Sequence, residues 1–199
     1  VLGAEDTTAV TSAELLTLPE YVIEHGVVAA ARQISSPNYD ARPEDAVIDL
    51  VVIHSISLPP GEYGGDAIAD LFCNRLMPQA HPYFAEIAHL KVSAHVLINR
   101  AGELIQFVNF NERAWHAGES CFEGRLACND FSIGIELEGT DTDSFTNAQY
   151  CSLIGLIQSL LGCYPRLNCN TICGHEDIAP GRKTDPGVGF DWQRRRRQR

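Results

Sequence analysis

The sequence predicts a single α/β domain in which a central mixed β-sheet is flanked by helices. Its 199 residues match the roughly 100–200 residues of one domain. Apolar residues make up 45% and charged residues 21% of the chain, which is typical of a folded protein and excludes a disordered chain or a coiled coil. Strand-like apolar runs also alternate with segments of helical periodicity, a pattern typical of α/β folds.

The first half of the chain contains the patterns of three strands and one helix. Val47–Ile56 is a mostly apolar run rich in Val and Ile, as expected for a strand buried on both faces. Asp66–Leu76 has a weak helical pattern. Ser93–Asn99 and Glu103–Phe110 predict two strands of a hairpin, joined at Arg100–Gly102.

The strand predicted over Phe131–Gly139 has one apolar face and one polar face. Its polar face carries two carboxylates, Glu136 and Glu138. A carboxylate on a strand normally faces solvent, and this interpretation suits Glu138 better because it lies nearer the strand end.

The C-terminal third contains the clearest helix pattern. Thr146–Leu161 carries an apolar stripe, and Thr146 with Gln149 forms a capping box. A short strand near Thr171–Gly174 is predicted to lead into a long polar loop, His175–Gly189.

The remaining segments have weaker patterns. The polar stretch from Gln33 to Glu44 predicts a loop, and Ser12 is a candidate cap for a short helix that ends at Leu18.

Charge argues against a nucleic-acid partner. The net charge is −11 although residues 191–199 carry five arginines, so the body of the chain is strongly acidic and would repel phosphates. The arginine-rich end is therefore interpreted as an exposed helix end or a solvated tail. No apolar run is long enough to span a membrane.

Cysteine usage and the N-terminal segment predict a cytoplasmic protein. The seven cysteines form no regular framework, which is typical of thiols in a reducing compartment. Val1–Leu18 carries Glu5, Asp6 and Glu14 where a signal peptide would be basic and then apolar.

Three residues at predicted strand ends and in the following loop are candidate metal ligands. His54 follows a buried run, His175 follows a short apolar segment, and Asp185 lies in a KTDPG turn. Two histidines and a carboxylate, with a fourth position for water, form a typical catalytic zinc site. From spacing alone, however, the favoured interpretation of each histidine is a side chain that is hydrogen-bonded at a strand terminus and binds no metal.

Two further positions have alternative interpretations. Lys183, two residues before Asp185, would by default be a surface lysine. The pair Trp115-His116 either lines the wall of a binding site or only packs against neighbouring residues.

Five segments, in order, resemble the zinc-dependent N-acetylmuramoyl-L-alanine amidases, which are related to phage lysozyme-type amidases and peptidoglycan-recognition proteins. The resemblance runs from about Val27 to Trp192 and is strongest with the cytosolic members, which cleave 1,6-anhydro-N-acetylmuramyl-L-alanine. The segments are HSISLPPGEYGG (54–65), HPYFAEIAHLKVSAH (81–95), RAWHAG (113–118), CNDFSIGIELEGTD (128–141) and GHEDIAPGRKTDPG (174–187).

The resemblance assigns roles to five of these residues. It implies that His54, His175 and Asp185 bind one Zn²⁺, that Glu136 is the catalytic carboxylate, and that Lys183 acts at the reacting carbonyl. It also implies a peptidoglycan-recognition-protein-like fold of a mixed sheet flanked by helices.

Several positions of the expected substrate groove depart from the family pattern. The family typically has Asn after the first ligand, Arg in the HLRVSAH block and a basic residue before CND, where this chain has Ser55, Lys91 and Ala127. Arginine can form two parallel hydrogen bonds where lysine offers a point charge, and alanine supplies no charge. Substrate affinity is therefore expected to differ. The candidates for the groove are Ser55, Lys91, Trp115, His116 and Arg182.

The resemblance divides the chain into an N-terminal extension of unknown role, residues 1–26, and a zinc amidase domain, residues 27–199. We expect a monomer that acts on small muropeptides in peptidoglycan recycling, with no membrane or nucleic-acid partner. Two alternatives are an envelope amidase that acts on the polymer and a non-catalytic muropeptide-binding module, which would require the loss of zinc ligands.

Overall fold

A computed structural model describes residues 18–196 of the chain and contains a six-stranded mixed sheet at its centre. The spatial order of its strands is β6-β2-β5-β3-β4-β1. All neighbours are parallel except β3 and β4, which form the predicted antiparallel hairpin. The strands are β1 (Arg32–Gln33), β2 (Leu50–Ile56), β3 (Val96–Ile98), β4 (Leu104–Gln106), β5 (Ser132–Glu138) and β6 (Ile172–Gly174).

Helices cover both faces of this sheet. They are α1 (Ala67–Phe72), α2 (Pro82–Ile87), α3 (Asn147–Cys163), α4 (His175–Ile178) and α5 (Trp192–Arg196). None of the helices within residues 18–196 is long and apolar enough to cross a bilayer. The mixed sheet with flanking helices confirms the predicted fold class.

The longest helix, α3, begins at the predicted cap. The Thr146 hydroxyl accepts a hydrogen bond from the backbone N–H of Gln149, and the Gln149 side chain accepts one from the N–H of Thr146. These two bonds satisfy donors that the first helical turn leaves unpaired. The helix then packs on the sheet face that carries Ile53 and Ile135.

The opposite face of the sheet is also buried, and it carries polar residues. Strand β2 pairs on both sides with parallel strands, and parallel sheets are covered on both faces. Leu50 and Val52 pack here with Ala117 and Ile178 in a smaller apolar cluster. The polar side chains of β2 and β5 on this face are therefore held in a buried environment.

Residues 19–21, near the start of the described chain, lie against α3. The backbone N–H of Tyr21 donates a hydrogen bond to Ser159 Oγ, and a Cβ at Gly155 would lie 2.2 Å from the Pro19 carbonyl oxygen. Glycine at 155 is thus what permits this close approach. The division of the chain at residue 26 stays a prediction, and the helix predicted from Ser12 lies outside the described residues except for Leu18.

Two predicted loops contain regular structure. Within Gln33–Glu44, Tyr39–Ala41 pairs antiparallel with Glu112–Ala114, and the predicted loop His175–Gly189 begins with the helical turn α4. Asp177 stabilises that turn by accepting a hydrogen bond from the N–H of Gly174 at 2.7 Å. Both predictions missed short elements that depend on local caps or on a distant partner strand.

Helix α2 and the one-turn 3₁₀ helix Cys128–Asp130 were also not predicted from the sequence. Helix α2 has Pro82 at its first position and His81 as its cap, whose Nδ1 accepts from the N–H of Tyr83. Proline at that position is favoured because its missing N–H would have no helical partner.

Candidate functional site

The candidate site lies where the polar face of the sheet meets the loops after β2 and β6. In the register of β2 and β5, His54 is paired with Glu136. In the register of β2 and β6, Gly174 is paired with Ile53, so His175 comes one residue further along. Glu136, His54 and His175 thus come from three adjacent parallel strands and their ends, and Asp185 comes from the loop that follows α4.

Three side chains converge on one point. His54 Nδ1 lies 3.0 Å from His175 Nδ1 and 3.1 Å from Asp185 Oδ2. His175 Nδ1 lies 3.1 Å from the same carboxylate oxygen. A tetrahedral zinc ion with ligands at roughly 2.0 Å has ligand atoms about 3.3 Å apart, so these three atoms fit the ligand positions of one small cation.

The surroundings of His175 direct a lone pair to that point. Its Nε2 lies 3.1 Å from the carbonyl oxygen of Ala117, and a carbonyl only accepts hydrogen bonds. A neutral His175 ring thus carries its proton on Nε2, and its Nδ1 presents a lone pair to His54 and Asp185.

The charges of the three groups also suit a cation. Burial lowers the pKa of His54 to about 4, so this ring is neutral at neutral pH. Burial by itself would raise the pKa of Asp185, but its interactions with the adjacent His175 and His54 rings outweigh burial and hold that pKa below its usual value. Two imidazoles and one carboxylate are the donor set of a catalytic zinc site.

Glu136 is a buried carboxylate beside this cluster. It is 8% exposed, and its Oε2 has no hydrogen-bond partner among the described residues. Burial raises the pKa of Glu136 well above its usual value; the Asp185 charge adds to this and Lys183 opposes it. A buried carboxylate with a raised pKa and a free oxygen is suited to exchange protons with a molecule in the site.

A cavity of about 580 Å³ opens onto the cluster. Lys183 is exposed at this cavity, and Ser55 also lines it, where its hydroxyl donates to Asp141 Oδ1 at 2.9 Å. Its lining includes the apolar residues Leu58 and Ile87, the ring of Tyr83 and the polar residues 140–142. A molecule with both apolar and polar groups could therefore lie in this cavity.

The other predicted groove residues have contacts of different kinds. His116 lines the cavity but is buried, with Nδ1 3.0 Å from His54 Nε2. The indole N–H of Trp115 donates to Asp40 Oδ1 at 3.0 Å. Arg182 donates to the carbonyl oxygens of Ala117 and Glu119, and Lys91 is exposed. Their roles in substrate binding stay predictions.

One buried carboxylate was interpreted incorrectly from the sequence. Glu138 is 4% exposed and not a solvated residue. It accepts hydrogen bonds from the backbone N–H groups of Gly64 and Arg100. The signal that could have identified it was the parallel sheet itself, since parallel strands are buried on both faces.

The role of Asp141 was also not predicted from the sequence. Its two carboxylate oxygens accept hydrogen bonds from the hydroxyls of Ser55 and Thr184, so it ties the end of β2 to the segment that carries Asp185. Gly187 has φ of +74°, and a Cβ there would lie 2.4 Å from the Asp141 carbonyl oxygen. The glycine in the KTDPG motif is required by this close contact.

Comparisons with known proteins agree with this geometry. The profile of the N-acetylmuramoyl-L-alanine amidase family matches residues 44–188. The chain is 58% identical over 173 residues to the 1,6-anhydro-N-acetylmuramyl-L-alanine amidase AmpD of Escherichia coli, covering 87% of this chain and 94% of that protein. It is 54% identical over 172 residues to AmpD of Haemophilus influenzae, covering 86% of this chain and 94% of that protein.

Solved structures show the same relationship. The crystal structure of a selenomethionine AmpD derivative superposes with a TM-score of 0.87 at 55% identity, covering 89% of this chain and 98% of that one. The E. coli amidase AmiD, in complex with the substrate anhydro-N-acetylmuramic acid-L-Ala-D-γ-Glu-L-Lys, superposes with a TM-score of 0.57 at 31% identity, covering 79% of this chain and 60% of that one. Sequence and fold agree over most of the chain, and the chain belongs to the N-acetylmuramoyl-L-alanine amidase family.

Proposed function

We propose that this amidase binds one Zn²⁺ through His54, His175 and Asp185. In this proposal it hydrolyses the amide between the lactyl group of 1,6-anhydro-N-acetylmuramic acid and the L-alanine of the stem peptide. It acts as a monomer in the cytoplasm, on soluble muropeptides that arise in peptidoglycan recycling.

One observation carries this proposal: three potential ligand atoms lie 3.0–3.1 Å apart beside a buried carboxylate oxygen that has no hydrogen-bond partner within residues 18–196. A bound zinc supplies a Lewis acid that polarises the scissile carbonyl and lowers the pKa of water towards roughly 7. Neutral His54 and anionic Asp185 leave such an ion with a net positive charge.

Glu136 is the proton carrier in this mechanism. Its carboxylate takes a proton from the attacking water as the new C–O bond forms, and burial, which raises its pKa, makes it a better base. It then delivers that proton to the alanine nitrogen as the C–N bond breaks. The products are the muramic acid carboxylate and a stem peptide with a free amine.

Lys183 stabilises the developing charge on the carbonyl oxygen. It lines the cavity together with Glu136 and Asp185, so its ammonium group can reach an acyl group bound there. Removing a donor of this kind typically lowers the rate by about 10²–10³.

The proposed substrate rests on the relatives. AmpD of E. coli bears 1,6-anhydro-N-acetylmuramyl-L-alanine in its name, and AmiD was solved with an anhydro-muropeptide. The cavity of about 580 Å³, which is lined by both apolar and polar residues, is large enough for a sugar and the first residues of a peptide. The alternative of a non-catalytic binding module is disfavoured because all three ligands are present.

The experiment that tests this function combines metal analysis with an amidase assay. The purified chain should contain one zinc, release stem peptide from anhydro-muropeptide, lose activity with a chelator and regain it with Zn²⁺. His54→Ala should lose both zinc and activity, because two remaining ligands bind zinc weakly. His25→Asn, at an exposed histidine with a positive φ, is the control and should keep both. A metal-free chain with full activity would refute the zinc assignment.

A further inference from the structure

A two-residue segment lies directly behind both histidines of the proposed zinc site. The side chain of His116 contacts His54, with Nδ1 3.0 Å from Nε2. The carbonyl oxygen of Ala117 lies 3.1 Å from His175 Nε2. The outer nitrogen of each histidine therefore faces a group of the same short segment.

This segment is itself held firmly in place. The side-chain oxygen of Asn129 accepts hydrogen bonds from the backbone N–H groups of His116 and Ala117, at 3.1 and 2.8 Å. The guanidinium group of Arg182 donates to the Ala117 carbonyl at 2.7 Å. A rigid support is what metal-ligating histidines need, because a hydrogen bond at the outer nitrogen fixes both ring orientation and tautomer.

The hydrogen-bond directions are consistent along the chain of contacts from His54 through His116 to Ser132. If His54 presents its Nδ1 lone pair to a metal, its proton is on Nε2 and is donated to His116 Nδ1. His116 then carries its own proton on Nε2, which lies 3.1 Å from Ser132 Oγ. A serine hydroxyl can accept that proton, so every group in the row from His54 to Ser132 has a compatible partner.

The sheet is shaped to receive the His116 ring. Gly134 lies in the middle of β5, and a Cβ there would be 2.4 Å from His116 Cγ. Glycine weakens a strand interior unless another group approaches closely, and here that group is the imidazole. The glycine in SIGIELE is thus explained by the position of His116.

We infer that His116 is a positioning residue that holds His54 in the metal-binding tautomer. The inference rests on the zinc site of the proposed function and adds a determinant of metal affinity outside the ligand set. Loss of such an outer hydrogen bond typically lowers metal affinity by about 10–100-fold.

The test compares two side chains of similar shape at position 116. His116→Asn keeps an oxygen near the place of Nδ1 and can still accept from His54, whereas His116→Leu cannot. Zinc affinity is measured by competition with a chromophoric chelator, and ligand geometry by the visible absorption of the Co²⁺ form. Neither readout depends on turnover, and Ser120→Ala is the control, since Ser120 is buried in the same loop and bonds to Cys128 and Gly118.

We expect His116→Leu to weaken zinc binding about 10–100-fold and to alter the Co²⁺ spectrum, with His116→Asn within about threefold of wild type. Ser120→Ala should bind zinc as wild type does. If His116→Leu fails to fold, Gly134→Ala serves instead, because its methyl group displaces the ring and should also weaken binding.

Two results would overturn this inference and leave the proposed function in place. One is that wild type and the folded variants bind zinc with equal affinity. The other is that His116→Leu and His116→Asn lose zinc affinity equally. A wild-type chain that binds no zinc would instead overturn the proposed function, and this inference with it.

Discussion

Glu136 and His54 lie opposite each other on neighbouring parallel strands, paired in the register of β5 and β2. Paired residues of adjacent strands point to the same face of a sheet, so the proposed proton carrier and a proposed ligand share one rigid support. Their distance is set by backbone hydrogen bonds, which position groups more accurately than loops do. Metal binding and proton transfer can therefore be separated by single substitutions.

The first prediction separates these two roles at Glu136. Glu136→Gln should keep one zinc per chain, because Glu136 is not in the ligand cluster. Its rate should fall by about 10²–10⁴, the typical contribution of a positioned acid–base group. The measurement is the initial rate on anhydro-muropeptide together with the zinc content. A variant that lost its zinc but kept its rate per bound metal would identify Glu136 as a ligand.

The second prediction concerns the neighbouring carboxylate, Glu138. Glu138→Gln should retain zinc but lower the free energy of unfolding by about 1–3 kcal/mol, since the N–H of Gly64 or of Arg100 loses its charged acceptor. Urea unfolding measures the loss, and hydrogen exchange should accelerate at Gly64 and Arg100. Unchanged exchange at both amides would show that Glu138 does not anchor these segments.

The third prediction concerns pH and uses a network outside the metal cluster. Asp40 accepts hydrogen bonds from Arg113 and Trp115, and the Arg113 bond is the main reason that its pKa is lowered to about 2. Because this pKa is below its unfolded value of about 3.9, the charged carboxylate stabilises the fold above pH 4. That contribution is lost as the pH falls from about 4 to 2.

The substitution that tests this network is Asp40→Asn. It should lower the free energy of unfolding at pH 6 by about 0.5–1 kcal/mol, a small value because the Asp40 side chain is 43% exposed and solvent screens the pair. Unfolding is measured with a chelator present, so that metal binding does not contribute. The difference from wild type should shrink towards pH 2, and the exposed control Asp45→Asn should show no comparable effect at either pH. A constant difference across this range would contradict the assigned pKa.

Some of this architecture could be predicted from the sequence because it depends on local patterns. Helix α3 is defined by its cap at Thr146 and by its apolar residues, and β5 by its alternation. The contact between His116 and His54 could not be predicted, because it joins residues 62 positions apart and periodicity carries no information on distant pairs. The positions of His54, His175 and Asp185 became informative only through the family resemblance, since their spacing alone fits many arrangements.

The same limit explains the error at Glu138. Alternation correctly predicted that Glu136 and Glu138 share one face of β5, but it could not show what covers that face. The segment that supplies the Gly64 N–H comes from 74 residues earlier in the chain. Burial of a polar strand face is therefore a property of the assembled sheet and its loops.

The fourth prediction concerns the choice between soluble and polymeric substrate. Relatives that share 54–58% identity over most of the chain are named for anhydro-muropeptide hydrolysis, and we expect this chain to release stem peptide from anhydro-muropeptide at least roughly tenfold faster than from intact sacculi. Each substrate is supplied separately and the freed peptide is quantified by mass spectrometry.

Lys91→Arg refines this test, because an arginine can form two parallel hydrogen bonds to a carboxylate where lysine offers a point charge. Lys91 is exposed, so the substitution should leave the fold intact. If Lys91 belongs to the groove, the variant should lower KM for anhydro-muropeptide without changing kcat, since binding alone is improved. An unchanged KM would show that Lys91 does not belong to the groove. In the comparison of substrates, equal or faster digestion of sacculi by wild type would refute the recycling role and leave the amidase chemistry in place.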